Sequence, residues 1–325
     1  MRKLTYVAAL NEALHQLLGG DDSVMLMGQG VTSPWYVGQS CIGLIDRFSE
    51  KRVIDTPVSE NAVTGAAIGA ALAGMRPILV HPRLDFMYYG LDPIANQAAN
   101  WHYMFGGKLS VPLTIWGIIN RGGEQGAQHS QAIHALFAHL PGIKVVMPST
   151  AYDAKGLLRS CVYDGNPVMF IDERWLYHLE SDVPERRYSV PIGKGKIRRK
   201  GKDVTIVATS YQVHEALAAA EELAGRGIDA EVLDPLTLKP LDEELIVRSV
   251  EKTGRLLVVD GGWRSFGAAA EIMARVAENK DIMEIKAPLR RLALPDCPAP
   301  ASRTLEKNYF KRAEDIVRET VRLVR

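Results

Sequence analysis

Cysteine is scarce in this chain of 325 residues: Cys41, Cys161 and Cys297 are scattered, with no CxxC pair. That argues against a disulfide framework and a structural zinc site, and it fits a reducing, cytoplasmic setting. Charge of one sign is lacking as well. Lysine and arginine total 39, aspartate and glutamate 38, and the formal net charge is +1. No global field therefore draws the chain to nucleic acid or to an acidic membrane face. No apolar run reaches the roughly 18 residues that a membrane span needs. The opening MRKLTYVAALNEALHQLLGGDD is interrupted by Asn11, Glu12 and His15, so it reads as an amphipathic helix and not a signal peptide. Familiar signatures are missing too: no GxGxxG after the first strand, no phosphate-binding GxxxxGK, no HExxH and no GxSxG. The glycine pairs at Gly106-Gly107, Gly122-Gly123 and Gly261-Gly262 read as turns.

What is present is a hydrophobic fraction of 47%, enough for a sizeable core in one large or two medium domains. Short apolar strands alternate with helical patterns. Strands are expected at 24–27, 52–55, 77–80, 111–116, 144–147 and 167–171, and helices over 4–18, 38–48, 59–73, 91–104, 131–139 and 152–162. This alternation predicts βαβ units and a largely parallel sheet. Residues 179–203 are rich in charge, Pro and Gly, and a linker is expected at 186–203, with room for a short hairpin. Alternation then restarts, with strands at 204–208, 230–233 and 256–259, helices at 212–224, 243–250 and 267–276, and a last helix over 305–324. The fold class is α/β: two domains with mainly parallel sheets, at 1–185 and 204–325.

Three features could carry chemistry. In Asp55-Thr56-Pro57-Val58-Ser59-Glu60-Asn61, a strand ends, proline forces a turn, and Glu60 lies in the first turn of a helix. Ser59 as a cap and Glu60 as a dipole partner would explain an ordinary helix start. The helix that follows, AVTGAAIGAALAG, has almost no polar face, and it is expected to be buried on nearly all sides. A carboxyl opening a buried helix is desolvated and able to hold a proton near neutrality. His129, in Gln128-His129-Ser130, follows a glycine-rich exit from a strand, the kind of loop that favours catalytic residues; a loop histidine is also often structural or solvated. Phe86 precedes an aromatic-rich helix and could face a ligand ring.

Taken together, these strings resemble one family. DTPVSENAVTGAAIGAALAGMRP, the helix LDPIANQAAN, YMFGG, QHSQ, PGIKVVMPSTAYDAKGLL and DGNPVMFIDE are similar to the beta subunit of the thiamine-diphosphate-dependent first component of 2-oxoacid dehydrogenases, in the transketolase superfamily. GKDVTIVATS, EVLDPLTLKPLD, VEKTGRLLVVD and PDCPAP carry the likeness through the second half. The resemblance implies a transketolase-like pyrimidine-binding domain followed by a transketolase C-terminal domain. It implies that Glu60 hydrogen-bonds the aminopyrimidine nitrogen, favouring the imino tautomer whose nitrogen can deprotonate the thiazolium carbon. Phe86 would lie against the aminopyrimidine, and Gln29 is counted among the cofactor-binding residues. His129 would handle the substrate carboxylate or later protons. A potassium site is implied around Leu113, Cys161, Val162, Asp164 and Asn166, although Asp164-Gly165-Asn166-Pro167 also reads as a simple turn. The superfamily's Gly-Asp-Gly motif for diphosphate and magnesium is absent. The resemblance therefore implies a separate alpha subunit holding them, a beta-beta core, and a two-alpha, two-beta assembly, with a lipoyl acyltransferase component as a further partner.

The chain departs from the family at strand ends. It reads Gly28-Gln29-Gly30-Val31 where two acidic residues are usual, and TSPWYVGQSC where a Gly-rich stretch is usual. His81-Pro82-Arg83 replaces Glu-Phe, and Asp260-Gly261-Gly262-Trp263-Arg264 replaces paired glutamates. Negative charge is lost, and His81, Arg83 and Arg264 can add positive charge. Family drift would account for this. So would a site for a more anionic second substrate, with His81 and Arg83 contacting it. Two catalytic readings follow: acyl transfer from a 2-oxoacid such as pyruvate to lipoamide, or transfer of a two-carbon unit to a sugar or other carbonyl. Glu60, Phe86 and His129 together argue against a decayed, non-catalytic scaffold.

Overall fold

The computed structural model describes residues 1–33, 37–279 and 284–325; Pro34, Trp35 and Tyr36 of the TSPWYVGQSC stretch lie outside the described residues. The chain forms two compact units. The first comprises Met1–Arg121 and Leu136–Ile192, the second Gly122–Ala135 and Gly193–Arg325.

The first unit contains β1 (Arg2–Thr5), α1 (Tyr6–Leu18), β2 (Val24–Gly28), α2 (Leu44–Phe48), β3 (Val53–Asp55), α3 (Glu60–Leu72) and β4 (Arg76–His81). A π-helical stretch, Pro93–Ala98, leads into α4 (Ala99–Met104) and then β5 (Thr114–Ile119). The chain continues through α5 (His134–His139), whose first two residues belong to the second unit, then β6 (Lys144–Val146), α6 (Ala151–Val162), β7 (Val168–Glu173) and β8 (Glu180–Val183). Six of these strands lie parallel in the order β6-β7-β5-β4-β2-β3. β2, β5 and β7 are buried at every residue, as expected for strands covered on both faces. Parallel order puts all C-terminal strand ends on one edge, where α/β sheets bind ligands.

Gly28 ends β2 at φ +151°, and a Cβ there would lie 2.4 Å from the Val80 carbonyl oxygen on β4, so only glycine fits. The helix expected from residue 4 starts at Tyr6, because β1 pairs antiparallel with β8; Thr5 Oγ1 then caps it, accepting the Ala8 N–H at 3.3 Å. The helix expected over 38–48 shrinks to α2, with Gly38 and Gly43 both at positive φ.

The second unit contains β9 (Lys196–Arg199), β10 (Val204–Ala208), α7 (Gln212–Gly225), β11 (Ala230–Asp234), β12 (Thr237–Lys239), α8 (Glu243–Thr253), β13 (Leu256–Trp263), α9 (Ala268–Glu278), β14 (Arg290–Leu294), α10 (Arg303–Tyr309) and α11 (Ala313–Val324). Its sheet runs β14-β13-β10-β11-β9, parallel except for β9. β9 lies inside the stretch read as a linker. One core packs α7 and α11 against Ile206, Val232 and Val259; another packs α8 and α9 against Val207, Leu233 and Val258. The sheet is thus the middle of three layers.

The single last helix expected from the sequence is two. Phe310 is buried at the break, and Glu215 of α7 accepts the Ala313 N–H at 2.8 Å and Arg312 Nη1 at 3.0 Å, capping α11 from outside. Among the described residues no helix is long and apolar enough to cross a membrane.

Candidate active site

In the first unit, Glu60 opens α3 half-buried, at the end of the turn that leaves β3. Ser59 makes no side-chain cap, so the ordinary capping explanation of this helix start is not realised. The expected burial on nearly all sides is corrected. Asn61, Ala62, Gly65, Ala66, Gly69 and Leu72 are exposed, and only Thr64, Ala67, Ile68 and Ala71 are buried. The helix buries one stripe in its own sheet and leaves a second, small-residue face open. Gly90 lies against the first turn: a Cβ there would stand 3.4 Å from the Glu60 carbonyl and 3.2 Å from Thr64 Oγ1. Phe86 follows β4 and is 40% exposed. Val58, Tyr88, Tyr89, Tyr103, Met104 and Phe105 are exposed in the same unit.

Gln29 sits just beyond Gly28 on a loop tied down by Asp55. That carboxylate accepts the Gly30 N–H at 2.6 Å, Thr32 Oγ1 at 2.9 Å and the Thr56 N–H at 3.1 Å. The acid at the end of β3 thus fixes the loop after β2, a role that sequence reasoning missed.

His81 does not supply the charge expected of it. It is buried at the end of β4, its Nε2 lies 3.2 Å from Thr64 Oγ1, and burial lowers its pKa to about 4. The ring is neutral near pH 7 and packed behind α3. Arg83 is half-buried and donates to the Pro82 carbonyl at 2.9 Å; of the two it alone is charged at neutrality.

The residues of the implied potassium site are close in sequence and partly engaged. The Val162 carbonyl accepts Arg76 Nη1 at 2.9 Å, and the Asp164 carbonyl accepts it at 3.5 Å. Lys144 Nζ pairs with the Asp164 carboxylate. The carbonyls of Leu113 and Cys161 accept the N–H groups of Val168 and Asp164 at 2.9 and 3.2 Å, and the Tyr163 N–H is also directed at Cys161. Asn166 Oδ1 is buried with no hydrogen-bond partner.

Buried charge collects at the ends of β5 and β7. Arg121 and Glu173 pair at 3.2 Å with both side chains buried. Asp172 is fully buried and accepts the Tyr177 hydroxyl at 3.1 Å; burial raises its pKa to about 7, against the pull of Arg174 and that bond. Spacing in the sequence gave no sign of these groups meeting.

In the second unit, His129 is half-buried on the segment Gly122–Ala135, between exposed Gln128 and buried Ser130. The sequence missed what lies five residues further on. His134 is fully buried, and its Nε2 meets Asp260 Oδ1 at 2.8 Å. Asp260, in the irregular stretch of β13 between Val259 and Trp263, also accepts the N–H groups of Gly262 at 2.8 Å and Ala269 at 3.1 Å. Burial alone would raise its pKa, but His134 and these N–H donors outweigh that and hold it at about 2. Arg264 is exposed beyond it.

The order of these elements defines a class: a parallel α/β unit with an acid opening an apolar helix, followed by a second α/β unit. Residues 2–179 match the family model "Transketolase, pyrimidine binding domain", and residues 193–316 match "Transketolase, C-terminal domain". The chain is 40% identical to the acetoin:2,6-dichlorophenolindophenol oxidoreductase subunit beta of Bacillus subtilis, over 99% of this chain and 98% of that one. It is 39% identical to the mitochondrial pyruvate dehydrogenase E1 component subunit beta of Drosophila melanogaster, over 99% and 90%. It is 38% identical to the 2-oxoisovalerate dehydrogenase subunit beta of Bacillus subtilis, over 99% and 98%. A solved split-gene transketolase, an inactive beta4 tetramer, shares the fold at a TM-score of 0.80 and 21% identity, covering 99% of this chain and 100% of that one. The chain belongs to the beta subunits of the thiamine-diphosphate-dependent 2-oxoacid dehydrogenases, a family of enzymes within the transketolase superfamily.

Proposed function

We propose that this chain is the beta subunit of a 2-oxoacid dehydrogenase first component, acting on pyruvate or a branched-chain 2-oxoacid and passing the acyl group to lipoamide. The observation that carries the reading is Glu60: a carboxyl at the start of an apolar helix whose capping residue makes no cap bond. Thiamine diphosphate, when bound, supplies the carbanion chemistry that decarboxylation needs. Glu60 would hold the aminopyrimidine nitrogen and share a proton with it. The exposed Phe86 ring would lie against that heterocycle, and Gln29 would contribute from the loop that Asp55 fixes. His129 would bind the substrate carboxylate or move a proton on and off later species.

Magnesium and the diphosphate would be held by an alpha subunit, since the chain has no Gly-Asp-Gly motif. The open small-residue face of α3 and the exposed aromatic residues of the first unit support a subunit that covers them. Asn166 Oδ1 supports a potassium site there, with the Leu113 and Cys161 carbonyls as further ligands. The Asp164 carboxylate, paired with Lys144, is not a free one for it.

A second reading concerns the donor. Two relatives named for acetoin are 40% and 43% identical to this chain, against 38–39% for those named for pyruvate and 2-oxoisovalerate. Cleavage of a 2-hydroxyketone would use the same cofactor contacts. Transfer to a sugar or other carbonyl acceptor draws support only from Arg83.

The test is co-purification with a neighbouring gene product that carries a Gly-Asp-Gly motif. Thiamine diphosphate and magnesium are then titrated into this chain alone and into the pair. Pyruvate, 2-oxoisovalerate and acetoin are assayed with 2,6-dichlorophenolindophenol as electron acceptor. Tight cofactor binding only by the pair, with dye reduction by a 2-oxoacid, is the expected result. Tight binding by this chain alone overturns the two-chain site, and dye reduction by acetoin alone selects the second reading.

A further inference from the structure

The segment that carries His129 is tied to the second unit at two places, one on each side of it. Upstream, the Glu124 N–H points at the Glu306 carboxylate, at 3.3 and 3.4 Å from its two oxygens, and Arg303 Nη2 meets the Glu124 carboxylate at 3.1 Å. Downstream stands the His134–Asp260 pair at 2.8 Å, with both side chains buried. In the first tie the Arg303–Glu124 pair is exposed and worth little by itself, although Glu306 is buried. The second is enclosed, and breaking such a pair leaves an uncompensated buried group.

Asp260 is also the hub of its own stretch of β13. Oδ1 accepts the Gly262 N–H, and Oδ2 accepts the Ala269 N–H in the first turn of α9. One carboxylate therefore fixes the irregular stretch of β13, the start of α9 and His134 together. Gly262 completes the arrangement: a Cβ there would stand 3.2 Å from both the Ala132 carbonyl and His134 Cε1. β13 at Gly262 and the His129 segment at Ala132 approach each other closely across this point. Ser130 Oγ and His134 Nδ1 are buried with no hydrogen-bond partner.

We propose that Asp260 and His134 are positioning residues for His129, seating the 122–135 segment on the second unit so that His129 stands in one place. His134 is fully buried and does not touch substrate; it acts through five residues of backbone. The proposal rests on the assignment of His129 to substrate chemistry, and one arm of its test stands without that assignment.

The test uses the assembled complex of this chain with its alpha partner. His134→Leu removes the bond, His134→Gln restores a donor that can reach Asp260, and Gly262→Ala crowds the segment while keeping the pair. Hydrogen exchange at residues 122–135 and the kcat and KM for the 2-oxoacid are read at saturating thiamine diphosphate. Expected for His134→Leu are faster exchange confined to this segment and a kcat lower by about 10²-fold, the cost of a misplaced group, with cofactor affinity unchanged. His134→Gln should recover most of both, and Gly262→Ala should show a smaller loss of the same kind. Normal exchange and normal kcat in His134→Leu, with only a lower melting temperature, would overturn the proposal and leave the pair as core cement. Should His134→Leu fail to fold, His134→Asn, polar but too short to reach Asp260, takes its place, and normal exchange and kcat in that variant would overturn the proposal equally. If the wild-type complex decarboxylates nothing, the functional reading fails, and the exchange data still decide whether the pair anchors the segment.

Discussion

Thr64 Oγ1 and His81 Nε2 lie 3.2 Å apart, one helical turn behind Glu60. This bond ties α3 to the end of β4 from the inside, and it keeps a neutral imidazole under the proposed pyrimidine subsite. Thr64→Val would remove the hydroxyl and strand a buried ring nitrogen, at a cost of about 1–3 kcal/mol. The melting temperature should fall by several degrees while kcat stays within a factor of a few. Unchanged melting would mean that the hydroxyl carries no weight there.

Glu60→Gln keeps the size of the side chain and removes the shared proton. Turnover should fall by about 10²–10⁴-fold, the usual worth of a proton-transfer group, while subunit assembly is spared. A fully active variant would refute the assignment of Glu60 to the aminopyrimidine.

His129→Ala should lower kcat more than it weakens thiamine diphosphate binding, because its role is placed on substrate and not on cofactor. Calorimetric titration of the cofactor beside steady-state kinetics separates the two. Unimpaired turnover would make His129 an ordinary loop residue.

Arg83 tests the second-substrate idea, now without His81. If the guanidinium draws an anionic acceptor, Arg83→Ala should raise the acceptor KM and flatten its dependence on salt. An unchanged KM and an unchanged acceptor preference would end that idea.

Asp172 predicts a pH effect on stability. Its pKa, raised by burial to about 7, lies above the ordinary carboxylate value of 3.8, so the folded state holds a proton that the unfolded state releases. Its contribution is fully present below about pH 4 and is lost as pH rises towards 7, as ionisation is forced on a buried group. Asp172→Asn should flatten the fall in stability between pH 4 and 7. Its gain over wild type, on the order of a few kcal/mol, should be largest above pH 7. Parallel stability curves for the two proteins would contradict this.

The alternating strands and helices were legible because each parallel strand is a short apolar run, buried on both faces and bounded by polar turns. β1 and β9 were not. Arg2–Thr5 and Lys196–Arg199 are polar edge segments that become strands only by pairing antiparallel with distant partners, β8 and β11. The break between α10 and α11 escaped because its cap comes from Glu215, nearly a hundred residues away. For the candidate site, Glu60, Phe86 and His129 could be named from local pattern and family likeness. The charge state of His81 could not, since burial sets it. The open face of α3 could not either, since an apolar helix reads the same whether its own chain or another covers it. His134 sits in an apolar helical pattern, and nothing local marks its partner.

The His129 segment belongs by its bonds to a unit whose main body comes later in the chain. His134 and Asp260 are separated by 126 residues. At roughly 5–20 residues per second of synthesis, the histidine waits about 6–25 s for its carboxylate. A fragment cut near residue 192 would carry the whole segment on the wrong piece, with Asp260, Arg303 and Glu306 on the other. Splitting this chain for separate expression therefore calls for a grafted loop, and a stalled ribosome releases a first half whose histidine has nothing to hold.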